Sequence, residues 1–203
     1  MLDKAVREAT SCDKLDWLDF GFDASRPGRD AEWKGLDFLK EDGELQKAWQ
    51  EYWPQGAGIH NWDAVARASL EENSEWILVE AKANIEELNS ECKAQNKESL
   101  RKITAAFEAT KKALGVPAGT NWMKPYYQYC NRIAALHFLA SRGIAARLLF
   151  VYFCGDKGDA RRTCPGSPGE WGGALERQNL QVALPSDHYL TGTINNLFLQ
   201  VTP

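Results

Sequence analysis

The stretch that most constrains this chain is residues 76–83: Trp76, Ile77, Leu78 and Val79, then Glu80, Ala81, Lys82 and Ala83. A short apolar run with polar residues before it reads as a buried strand. Alternate residues of a strand share a face. Glu80 and Lys82 therefore lie on one face, and Ile77, Val79, Ala81 and Ala83 lie on the other. Two charges late in an apolar strand are costly unless they are paired, hydrated or bound to a metal. Such a cost marks a candidate site.

The Glu-x-Lys triplet alone decides nothing, because it also occurs at Glu32/Lys34 and Glu91/Lys93. Only the middle copy ends a hydrophobic run. Upstream, residues 60–68 (His60, Asn61, Trp62, Asp63 and the alternating alanines after them) form a second short strand pattern. Polar residues 71–75 join the two, which predicts an antiparallel hairpin. A turn centred near Glu72 and Asn73 sets Asp63 opposite Lys82, and one centred on Glu71 and Glu72 sets it opposite Glu80. Both registers bring Asp63 to the face of Glu80 and Lys82. A slip of one residue from either sends it to the other side.

Two carboxylates and an ammonium on one sheet face suit a hard divalent cation. Mg²⁺ takes one or two carboxylates together with waters and phosphate oxygens. Bound there, it acidifies a water and neutralises charge on a scissile phosphate. Trp62-Asp63 followed by Glu80-Ala81-Lys82 resembles the signature of the PD-(D/E)xK nuclease superfamily, with Trp62 in place of the usual proline.

That resemblance spans roughly residues 43 to 153 and implies a restriction-endonuclease-like α/β fold. Its mixed central sheet has about four to five strands flanked by helices. It implies catalytic roles for Asp63, Glu80 and Lys82. Asp63, Glu80 and the Ala81 carbonyl would be the metal ligands, and Mg²⁺ (or Mn²⁺) the cofactor. Lys82 would orient or activate water.

The implied partner is nucleic acid, DNA before RNA. A homodimer is the expected way for a subunit of this size to reach both strands of a duplex. In families of this type the helix before the hairpin carries a further acid, for which Glu44 and Glu51 are both open. A glutamine on the helix after the Glu-x-Lys strand contacts substrate or the attacking water in several branches. Gln128 is similar to that feature, with Arg132 one turn on, and both are substrate-positioning candidates. The alternative is a catalytically inactive relative that keeps the fold as a binding or assembly module.

A chain of 203 residues favours one domain. Residues 1–40 read as an N-terminal helical extension, 41–153 as the core, and 154–203 as a C-terminal loop, helix and edge strand. A hydrophobic content of 44% with eight tryptophans argues for a packed globule. The net charge of −4 excludes general electrostatic attraction to nucleic acid. A metal or a local basic surface has to offset that repulsion. No run of apolar residues is long enough for a membrane span, and the charged start lacks a signal-peptide core. The five cysteines show neither CxxC nor zinc spacing and fit unpaired thiols in a reducing cytoplasm.

Along the chain, residues 1–20 read as a helix or two short helical turns, and 20–30 as a loop. Residues 41–53 read as a helix closed by Pro54. Residues 84–114 are helical in pattern, divided near Gln95 and Asn96. Arg101, Lys102, Lys111 and Lys112 in this stretch read as a solvated face balanced by Glu91, Glu98 and Glu108. Residues 121–142 carry a clear apolar stripe and read as a helix with Pro125 in its first turn. Residues 145–153 form a buried strand, parallel to the Glu80 strand through a right-handed crossover. Loop follows, with Arg161 and Arg162 in an exposed turn. Ser167, Pro168 and Glu170 then start a helix to about residue 178, and residues 196–201 form a last strand at the sheet edge. His60 reads as a loop histidine, and His137 as a core or half-buried one with a hydrogen-bond partner.

Overall fold

The computed structural model describes residues 2–18, 32–56, 59–70, 73–156 and 161–201. In chain order the elements are α1 (Leu2–Thr10), β1 (Lys14–Trp17), β2 (Trp33–Lys34), α2 (Gly43–Tyr52), β3 (Asn61–Trp62) and β4 (Ala64–Leu70). They continue with β5 (Asn73–Lys82), α3 (Lys97–Leu114), α4 (Tyr127–Ala140), β6 (Ala146–Cys154), α5 (Pro168–Val182) and β7 (Ile194–Gln200). The architecture is α/β: a mixed five-stranded sheet, ordered β1-β4-β5-β6-β7, flanked by helices. β4 runs antiparallel to both β1 and β5, while β5, β6 and β7 are mutually parallel. The expected loop at 20–30 and the hairpin turn at Glu71 and Glu72 lie outside the described residues.

The hairpin register runs from Leu70 opposite Asn73 to Ala64 opposite Val79. Strand pairing stops there: Asp63 lies at a bend and its N–H goes to Val79 O, so neither expected pairing of Asp63 continues the register. On the face shared by Leu78, Glu80 and Lys82, a large core joins Val65, Leu78, Leu148, Phe150 and Tyr152 to α2, α3, α4 and α5. The opposite face carries a smaller core of Ala64, Ala66, Ala68, Ile77, Val79, Leu149 and Val151, closed by Val6 of α1 and Leu15. Alternate alanines on β4 keep that surface low, so one short helix covers it.

Three stretches differ from the sequence reading. Residues 14–17 are a strand: Leu15 and Trp17 alternate with Lys14 and Asp16, a period-two pattern that forms once β4 offers an open edge. The N-terminal segment thus contributes to the central sheet. Residues 85–88 make a single 3₁₀ turn, and the α-helix starts only at Lys97. In between, Ser90 and Cys92 donate backbone hydrogen bonds to Pro125 O and Met123 O, so tertiary pairing overrides helical propensity there. The same pairing holds Pro125 ahead of α4, which begins at Tyr127. The residue before a proline is in any case disfavoured in helical conformation.

All five cysteines are free thiols, with Cys130 and Cys154 buried. Among the described residues no helix is long and apolar enough to cross a membrane.

Candidate functional site

At Asp63 the chain bends between β3 and β4. The Asp63 backbone N–H still reaches Val79 O at 3.1 Å. The next rung is made by a side chain: Ala81 N–H donates to Asp63 Oδ2 at 2.6 Å. The carboxylate stands in for backbone where β4 leaves its partner, and Oδ1 takes no hydrogen bond among the described residues. A strand residue presents its N–H and C=O to the same side, so the Ala81 carbonyl faces the Asp63 side of β5.

Glu80 sits on the large-core face with only 1% of its surface exposed. Lys82 Nζ donates to Oε1. Arg132 grips Oε2 from α4 through Nε at 2.8 Å and Nη2 at 2.6 Å. Lys82 is 8% exposed and also donates to Gln128 Oε1 at 2.9 Å. Ser90 Oγ accepts the Gln128 backbone N–H at 2.8 Å and anchors the start of α4 beside the site.

The expected residues therefore converge: Asp63, Glu80 and Lys82 from the hairpin, and Gln128 and Arg132 from α4. Their formal charges balance, two carboxylates against two cations. Burial, then the Glu80 charge, pushes the Asp63 carboxyl above its ordinary range. The Ala81 N–H, Lys82 and Arg132 pull it back.

Arg132 is 2% exposed, and its other bonds are also internal. Nη1 donates to Asn131 Oδ1 at 2.8 Å and Nη2 to the Asn61 carbonyl. Its guanidinium lies 4.9 Å from the Trp62 ring centroid, a cation–π contact on a fully buried indole. Trp62, at the place where the resembling signature has proline, is the floor on which Arg132 rests. It is fixed by its own Nε1–H to Gly35 O at 2.8 Å. The sequence reading did not single out the Asn61 carbonyl, the Trp62 ring or Ser90. Their roles depend on contacts between distant elements, which no local spacing encodes.

Glu44 and Glu51 border a surface depression on α2 together with Arg142, which follows the far end of α4. Neither joins Glu80. Among the described residues no group of three acidic, histidine or cysteine side chains assembles. The donor set that fits a hard cation is thus narrow: Asp63 Oδ1, the Ala81 carbonyl and the remaining lone pairs of Glu80.

His60 is buried behind the site. It packs edge-on against Trp49, Trp53 and Trp62 at centroid distances of 5.5, 5.8 and 5.1 Å. Neither ring nitrogen has a partner among the described residues. Burial, reinforced by Arg132, drives its pKa well below the ordinary value. It lies in the connection before β3, as expected of a loop histidine, but is packed into the core away from solvent. His137 is half-buried, with Nδ1 bonded to the Tyr189 hydroxyl.

On α3, Arg101 pairs with Glu98 and Lys102 reaches Gln50 O on α2, while Lys111, expected on a solvated face, is buried and pairs with Glu108. No family model, curated protein or solved structure matches the chain, and what the site can do is read from its own geometry.

Proposed function

We propose that this chain is a metal-dependent nuclease of PD-(D/E)xK type that hydrolyses phosphodiester bonds of nucleic acid. The observation that carries this reading is the meeting of Asp63, Glu80, Lys82 and Gln128 at the end of β5, with one Asp63 oxygen left open. Asp63 and Glu80, with the Ala81 carbonyl, would hold Mg²⁺ or Mn²⁺. That cation supplies an acidified water and charge neutralisation at phosphorus.

The chain's own groups do the rest. Lys82 is held within reach of both Glu80 and Gln128, where its ammonium can orient water or donate to a developing phosphorane oxygen. Gln128 accepts from the Lys82 ammonium through Oε1, which leaves its amide N–H₂ to donate to substrate. Arg132 locks Glu80 in one rotamer from the buried side, so the carboxylate is oriented beforehand.

Asp63→Asn is the diagnostic variant, because its amide oxygen keeps the Ala81 hydrogen bond while the charge is lost. Calorimetric titration of Mn²⁺ and Mg²⁺, with cleavage assays on plasmid and single-stranded DNA and on RNA, is expected to show saturable binding and cutting by the wild type. Asp63→Asn is expected to lose both. Lys82→Ala is expected to keep metal binding and cut roughly 10²- to 10⁴-fold more slowly.

One observation favours the second reading, a non-catalytic binding or assembly module: both Glu80 oxygens already have cationic partners. No saturable metal binding by the wild type would decide for it.

A further inference from the structure

The two ends of the sheet are built differently. β1 closes one end with four residues and carries Lys14 and Asp16, both well exposed and paired at 2.7 Å. β7 closes the other with seven residues, Ile194 to Gln200, none of them charged. The uncharged tract is longer than the strand: no Asp, Glu, Lys or Arg occurs from 188 to 203, in a chain where 26% of residues are charged. Val201, directly after that strand, is 37% exposed. Among the described residues no strand pairs with the outer side of β7.

A long edge strand without charge or proline is a template for another strand. β1 shows the usual protection, a short strand with charges, and β7 has none of it. We propose that β7 is the edge through which two copies of this chain pair, antiparallel across a two-fold axis, into one continuous ten-stranded sheet.

Three features select a second copy as the occupant. In a two-fold antiparallel pairing a residue near the axis meets its own copy and the others meet residues equally far on the other side, so a charge near the middle of the strand would face its like. β7 carries no charge to be opposed. The chain is net negative elsewhere, and an uncharged strip is where two such molecules approach without repulsion. Finally, the charged, short β1 cannot accept β7 of another copy, so growth head to tail is blocked and the assembly closes at two. The proposal is independent of the chemistry assigned to Glu80.

Sedimentation equilibrium on the full chain, across a wide concentration range, tests it. Asn196, exposed in the middle of β7, is the position to change. The wild type is expected at twice the chain mass of 22.8 kDa. Asn196→Lys, which sets lysines against each other on the joined edge, is expected to halve that mass without shifting the far-UV spectrum. Asn196→Thr, a good strand former, is expected to remain paired.

A wild type that stays monomeric at millimolar concentration overturns the proposal. So does a dimer indifferent to Asn196→Lys, which would locate the contact elsewhere, and so does open-ended polymerisation. If Asn196→Lys alters the far-UV spectrum, oxidative crosslinking of Asn196→Cys replaces it, read against the wild type with its five native thiols. Failure of that cysteine to form an intermolecular disulfide counts equally against pairing.

Discussion

Removing the Arg132 guanidinium strands Glu80. The carboxylate has almost no access to water, and Lys82 alone would then face it. Arg132→Ala is expected to cost about 3–5 kcal/mol of folding stability, read from the urea midpoint. Combining Arg132→Met and Glu80→Leu with Lys82→Met is expected to recover most of that loss, because all three buried charges go together. His60 sets a pH dependence. Its folded pKa lies well below 6.5, so below pH 6.5 the unfolded chain binds more protons than the native one. Its contribution is complete above that pH and is lost as the pH falls, by up to about 1.4 kcal/mol per pH unit. His60→Phe is expected to flatten this part of the stability curve in urea titrations at a series of pH values. Asp63 runs the other way, since its pKa is raised above 3.8 and its contribution is lost as the pH rises. Asp63→Asn is thus expected to be no less stable than wild type at neutral pH. The shared face of Glu80 and Lys82 was legible because strand alternation is a local rule. The hold of Arg132 on Glu80 was not, because it needs the Asn61 carbonyl and the Trp62 ring brought to α4 by the fold.

At the scale of elements, helix starts were harder to read than helix existence. Asn96 was visible only as a polar break, yet it is the N-cap of α3, and its side chain accepts from the N–H groups of Glu98 and Ser99. Asn96→Ala is expected to lower stability by about 1 kcal/mol, measured by chemical denaturation, with little change at the Glu80 site. At the other end of α3, Gly115 adopts φ +74 and closes the helix in the left-handed region. Ser167 occupies the N-cap position of α5, but its hydroxyl bonds the Glu170 carboxylate instead of the backbone. Residue types that cap helices were recognised correctly there, while the bond each one makes was decided by its neighbours. β1 was missed for a related reason: four alternating residues specify a strand only when an open edge lies beside them.

The whole molecule has two cores of unequal size on one sheet. The larger lies under α2 to α5 and includes the tryptophan cluster behind the candidate site. The smaller depends on α1, in which Val6 is the one buried residue. Val6→Asp would put a carboxylate against the alanines of β4 and is expected to release α1. Hydrogen exchange should then show amides 2–10 exchanging at unfolded rates while β4, β5 and β6 stay protected. The mixed sheet with helices on both faces was anticipated by the order hairpin, helix, strand. The unequal division of its two faces was not, because it depends on which helices the crossover carries to each side.

The Asp63 carboxylate closes a rung that backbone closes everywhere else in the hairpin. The Ala81 amide is consequently governed by the rotamer of one side chain. Whatever draws that carboxylate outward loosens a single amide proton and leaves the neighbouring rungs intact. The sheet therefore carries its own gauge of occupancy at this position, readable one proton at a time and without turnover.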